Sequence, residues 1–135
     1  MKSDIFQQIQ DFLISKCNPS FIIVFGSFVK NSTHKDSDID IAFYSREQTL
    51  TTYEVFLVAQ ELADILKIEV DLVNLESAST VFKAQIYTTG TVIYSKDDIL
   101  LKTHQMTALS MYARLNEERE SILKNINESG SIYEK

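Results

Sequence analysis

The run Phe21-Ile22-Ile23-Val24-Phe25 contains no polar residue and leads straight into Gly26-Ser27. Five consecutive apolar residues fit a strand covered on both faces. After a spacer of ten residues the chain reads Asp38-Ile39-Asp40-Ile41-Ala42-Phe43, a second strand-like run with carboxylates at its start. Side chains alternate faces along a strand, so Asp38 and Asp40 leave on the same side. Two carboxylates that close repel each other unless a cation lies between them. Such hard oxygen donors suit Mg²⁺, which takes one or two carboxylates and completes its shell with substrate phosphates and water. A glycine before a serine lets the backbone approach a phosphate and present N–H donors to it. Gly-Ser alone marks turns everywhere, and Asp-x-Asp alone is usually an exposed strand end. The joint pattern of strand, Gly-Ser, spacer, Asp-x-Asp and strand points to metal-dependent handling of a nucleoside triphosphate.

A third carboxylate extends the pattern. In Ile68-Glu69-Val70-Asp71-Leu72-Val73 the residues Ile68, Val70 and Leu72 fall on one face, and Glu69, Asp71 and Val73 on the other. Asp71 stands between Val70 and Leu72, where a sheltered carboxylate needs a partner. A neighbouring strand carrying two metal-binding aspartates would supply one, and the expectation is that Asp71 is sheltered rather than open to water.

The remaining segments read as alternating helices and strands. Ile5, Phe6, Ile9, Phe12 and Leu13 recur at helical spacing behind Ser3, a candidate N-cap. Asn18-Pro19 marks a turn before the strand at 21–25. A polar loop runs to Ser37, and a strand covers 39–44. Val55, Val58, Ala59, Leu62 and Leu66 form one face of a helix over roughly 50–66, followed by a strand at 68–73. Ser77 or Ser79 can cap a short helix ending near Gly90, and Thr91 to Tyr94 reads as a last strand. From about 96 to 127 the pattern is one long helix, with room for a kink, whose apolar positions return at Ile122, Leu123 and Ile126 after a polar stretch. With less core to pack on, that last cluster suits a partner or a second copy of the chain.

The 135 residues suffice for one domain with a sizeable core, expected as a core over about 3–95, a helix over about 96–127 and a disordered tail over 129–135. One cysteine, Cys17, rules out an internal disulfide framework and fits a reducing, cytoplasmic setting. A net charge of −6 without any basic cluster argues against a nucleic-acid surface. No stretch reaches the length of a membrane span. His34 and His104 lie far apart, without ligand spacing around them.

With Gly26-Ser27, Asp38-x-Asp40 and Asp71, the chain resembles the minimal nucleotidyltransferases of the DNA polymerase β superfamily. The stretch from Val70 through Val81, Gly90, and the region from Met106 to Arg119 are similar to MntA-type antitoxins, which pair with HEPN-domain toxins called HepT. The resemblance covers roughly residues 5–125. It implies an α/β (α+β) fold: a small mixed sheet flanked by helices, with the site along one sheet face. It also implies a protein adenylyltransferase that moves AMP from ATP to a tyrosine of a HEPN-domain ribonuclease toxin and so neutralises it. Under it, Gly26 and Ser27 would hold the β and γ phosphates, with Lys30 and Ser37 as further phosphate contacts. Asp38, Asp40 and Asp71 would be the catalytic carboxylates and the ligands of two Mg²⁺ ions, with Asp71 helping the acceptor hydroxyl lose its proton. Many relatives carry arginine and then glycine where this chain has Lys30 and Asn31, and a lysine supplies charge without a bidentate fork. The partner would dock on the C-terminal helix and the face of the site, with an oligomer possible within the complex. Two rival readings are transfer to a small molecule and a non-catalytic antitoxin that acts by covering its toxin.

Overall fold

The computed structural model describes residues 2–26 and 38–129. Its elements are α1 (Lys2–Cys17), β1 (Phe21–Phe25), β2 (Ile39–Tyr44), α2 (Thr52–Leu66), β3 (Val70–Asn74), a 3₁₀ turn (Leu75–Ser77), α3 (Thr80–Thr89), β4 (Thr91–Ser95) and α4 (Asp98–Ser129). The four strands form one sheet in the order β3-β2-β1-β4. β1 pairs antiparallel with β2 and β4, whereas β2 and β3 run parallel. The expected mixed sheet flanked by helices is therefore present.

β1 is central and buried along its whole length, which explains its unbroken apolar sequence. Ile22 and Val24 pack with Ile39, Ile41, Phe43 and Leu72 beneath α1 and α2, where Ile9, Leu13 and Leu62 complete that core. Phe21, Ile23 and Phe25 pack on the opposite face with Ala42, Leu75, Ile86 and Leu101, beneath α3 and α4. Removing a fully buried ring such as Phe43 from this double-sided core costs about 3–5 kcal/mol.

Local chemistry sets the boundaries. Thr51 caps α2 in a reciprocal box with Glu54: the Glu54 amide donates to Thr51 Oγ1 at 3.1 Å, and the Thr51 amide donates to Glu54 Oε1 at 2.8 Å. This box starts α2 two residues later than the apolar spacing alone suggests. Lys67 ends the helix in the left-handed region at φ 63°. Ser79 caps α3, accepting from the Phe82 amide at 3.2 Å. Ser3 lies inside the first turn of α1, which begins at Lys2, and is not its N-cap. β3 starts at Val70 rather than 68, and α4 is one continuous helix. Residues 130–135, the greater part of the expected tail, lie outside the described residues.

Candidate active site

The site lies where β1 ends and β2 begins. The ladder places Phe25 opposite Asp40, so the turn that leaves β1 at Gly26 sits beside the first carboxylate inside β2. Gly26 has φ +80°, a conformation that costs a glycine little and other residues more. A Cβ at Gly26 would overlap Asp40 Oδ2. The backbone thus passes closer to the carboxylate than any side chain would permit, as expected of a turn that brings main chain and carboxylate to one small charged ligand.

β3 contributes the third carboxylate. Asp40 and Asp71 are register partners in the parallel β2–β3 pair. Asp40 leaves the sheet on the face of Ala42, and Asp71 on that of Val73; both of these pack in the cluster beneath α3 and α4. Asp38 precedes the ladder by one residue and is exposed. Asp40 is held above the usual carboxylate range, first by burial, then by the charge of Asp71, then by that of Asp38. The two neighbours act on Asp40 by repulsion, so a cation among the three would relieve it.

Asp71 departs from one expectation, because it is exposed rather than sheltered. The reason is its place in the sheet. β3 is an edge strand, while α3 packs over β1. The edge position leaves the Asp40–Asp71 end of this face open to a substrate. Phe25 and Phe82 border it, with their rings edge-to-face at 5.8 Å.

Among the described residues, no group of three or more His, Cys, Asp or Glu stands ready-made as a metal cage. The donor set still fits Mg²⁺. It consists of carboxylate oxygens only, Asp40 is electrostatically unsatisfied, and a metal of this kind draws the rest of its shell from water and phosphate. Ser27, Lys30 and Ser37, and with them His34, lie outside the described residues. Cys17 is fully buried and its thiol is pushed up to about 11 by burial, as suits packing rather than catalysis.

The sequence assigns no role to His104. It lies on α4 with its ring centroid 4.4 Å from that of Tyr44 and 5.9 Å from that of Phe21. Nothing in the local sequence signals this, because the three residues come from three elements.

Comparisons with known proteins place the chain among relatives. The model of the family described as polymerase beta, nucleotidyltransferase matches residues 7–99. The protein adenylyltransferase MntA of Shewanella oneidensis is 38% identical over 107 residues, covering 78% of this chain and 74% of that protein. A crystal structure of a toxin–antitoxin with AMP-PNP superposes with a TM-score of 0.80 at 33% identity, covering 90% of this chain and 97% of that one. A structure of a tri-AMPylated Shewanella oneidensis HEPN toxin in complex with MNT antitoxin gives a TM-score of 0.78 at 31% identity, covering 93% and 98%.

Proposed function

The chain belongs to the polymerase β nucleotidyltransferase family, and from that premise we propose that it is an antitoxin acting as a Mg²⁺-dependent protein adenylyltransferase. Its substrate is ATP, and its acceptor is a tyrosine of a HEPN-domain ribonuclease toxin. The observation that carries this reading is the pairing of Asp40 with Asp71 beside a glycine turn too close for a side chain. The names of the relatives support the direction of transfer: one is a protein adenylyltransferase, and one is an antitoxin in complex with a tri-AMPylated toxin.

In this reading the Gly26-Ser27 turn holds the triphosphate, aided by Lys30 and Ser37. Asp38, Asp40 and Asp71 would hold Mg²⁺. Bound Mg²⁺ would neutralise charge on the triphosphate and favour the ionised acceptor. The tyrosine oxygen bonds to the α-phosphorus as the bond to the β-phosphate oxygen breaks; pyrophosphate leaves and the phenolic proton passes to Asp71. A phenol titrates near pH ~10, so help in removing its proton matters at neutral pH. Positioning and charge neutralisation, rather than covalent catalysis, supply the rate.

The toxin docks across the open end of the site and along α4. Ile122 and Leu123 are 59% and 51% exposed near the end of that helix, a placement that also favours a second contribution, neutralisation by covering the toxin. No helix among the described residues is long and apolar enough to cross a membrane, and a cytoplasmic setting accords with the buried free thiol. Intact mass spectrometry of the toxin after incubation with this chain, Mg²⁺ and ATP tests the proposal. Mass gains in steps of AMP, absent with an Asp38→Asn/Asp40→Asn double variant, are expected. A stable complex without any gain would leave covering alone.

A further inference from the structure

The seam between α3 and α4 encloses a cavity of about 220 Å³ that the proposed reaction does not use. Helix–helix seams are normally apolar, yet several hydrogen-bonding side chains line this one beside Ala108 and Met111. α3 contributes Thr80, Lys83 and Tyr87, and α4 contributes His104 and Thr107. Among the described residues no carboxylate lines it, although the chain as a whole carries a net charge of −6. Lys83 is half-buried and has no ion-pair partner among the described residues. Nor does a hydrogen bond within the described residues engage the hydroxyls of Thr80, Tyr87 or Thr107. The cavity therefore presents several groups able to donate and one cation, with no anionic side chain among the described residues to match them.

We propose that this cavity is a binding site for a phosphate group, separate from the catalytic carboxylates. A phosphate offers several acceptor oxygens in a tetrahedral array and can meet donors arriving from both helices, whereas a carboxylate has two oxygens in one plane. The protonation states agree. Burial and the neighbouring Tyr44 push the Tyr87 phenol up to about 12, so it remains a donor at neutral pH. Burial and then Lys83 lower the His104 pKa, and an anion between the two would offset that second effect.

The site stands apart from the carboxylates along β2. The His104 ring packs at a tilt against Tyr44, which lies four residues from Asp40 on the same face of the strand, about 13 Å away at ~3.3 Å per residue. A phosphate here would lie on the same side of the sheet as the carboxylates but toward the far end of β2, and not over the metal ligands. Free phosphate, pyrophosphate and the phosphate of a nucleotide share the required chemistry.

Isotope-edited NMR titration of the full chain, without Mg²⁺, tests the site. The probes are inorganic phosphate, pyrophosphate and AMP, followed at the His104 ring and the Lys83 side chain. Saturable shifts at both residues are expected, with the tightest of the three identifying the source. Lys83→Gln should weaken binding roughly tenfold, and Asp40→Asn should leave it unchanged. Lys83 is partly exposed, so its variant should keep the wild-type melting temperature without ligand and lose the ligand-induced rise. The proposal is overturned if none of the probes gives saturable shifts, if Lys83→Gln binds as tightly as wild type, or if Asp40→Asn is the variant that abolishes binding.

Discussion

Asp40 and Asp71 sit directly across from each other on adjacent parallel strands, so two carboxylates 31 residues apart in the chain share one face of the sheet. Strands in a sheet lie about 4.8 Å apart, so the unbound protein holds this pair against its own repulsion.

Replacing Asp40 should therefore stabilise the metal-free protein while removing its chemistry. Asp40→Asn is expected to raise the melting temperature by a few degrees at neutral pH and to lower adenylyl transfer about a thousandfold or more. Because the folded state raises the Asp40 pKa, it binds the proton more tightly than the unfolded chain does. The wild type should accordingly lose stability as pH rises from about 4 through the raised folded value. Melting curves across that range should show the variant gaining on the wild type as pH rises; a gap that does not widen would contradict the repulsion.

Mg²⁺ with ATP should reverse the order. Occupancy at a hundred times the dissociation constant adds about 2.7 kcal/mol to the wild type. Asp38→Asn/Asp40→Asn should gain little. Differential scanning calorimetry with and without the pair of ligands measures both.

Gly26→Ala should damage fold and activity together. Its φ of +80° and the overlap of any Cβ with Asp40 Oδ2 leave only bad alternatives: strain the turn or push the carboxylate away. A loss of about 1–3 kcal/mol in urea unfolding is expected, with transfer reduced beyond what the lost stability explains. An alanine variant with wild-type activity would mean that the close approach is dispensable.

Shortening α4 should separate folding from docking. Leu101 and Ala108 are buried, and Tyr112 lies in a groove against α3, so a chain ending at Ala113 keeps the packed part of the helix. That chain should melt near the wild type yet bind the toxin at least about tenfold more weakly, by isothermal titration calorimetry. Ending the chain earlier, near residue 105, would remove the buried Ala108 as well and confound the two effects.

Cys17 should be silent. With its thiol fully buried and pushed up to about 11, it should react with a disulfide reagent only after unfolding. Fast labelling of the native protein would show that α1 opens readily.

Much of this was legible from residue order because it depends on local rules. The β1 run, the alternation of Ile39, Ile41 and Phe43 against Asp40 and Ala42, and the Ser79 cap all follow from neighbours in sequence. The Thr51–Glu54 box was also present as Thr-x-x-Glu, and the apolar spacing of α2 obscured it. The exposure of Asp71 was not legible, since it depends on β3 being an edge strand, a property of the whole sheet. The packing of His104 on Tyr44 belongs to the same class: 60 residues separate them, and only the crossing of α4 over the sheet joins them.

The parallel pairing of β2 with β3 also sets an order of events in biosynthesis. Antiparallel neighbours can zip together as they emerge, but a parallel strand must wait for its crossover, here α2, to be made and docked. A nascent chain that has just released Tyr44 from the ribosome holds Asp38 and Asp40 but not Asp71. The proposed site is thus incomplete until a long-range step is finished, and the last carboxylate arrives against the charge of the first two. If the three carboxylates hold a divalent cation as proposed, the ion would speed that arrival and would act on the newborn protein's folding as well as on its chemistry.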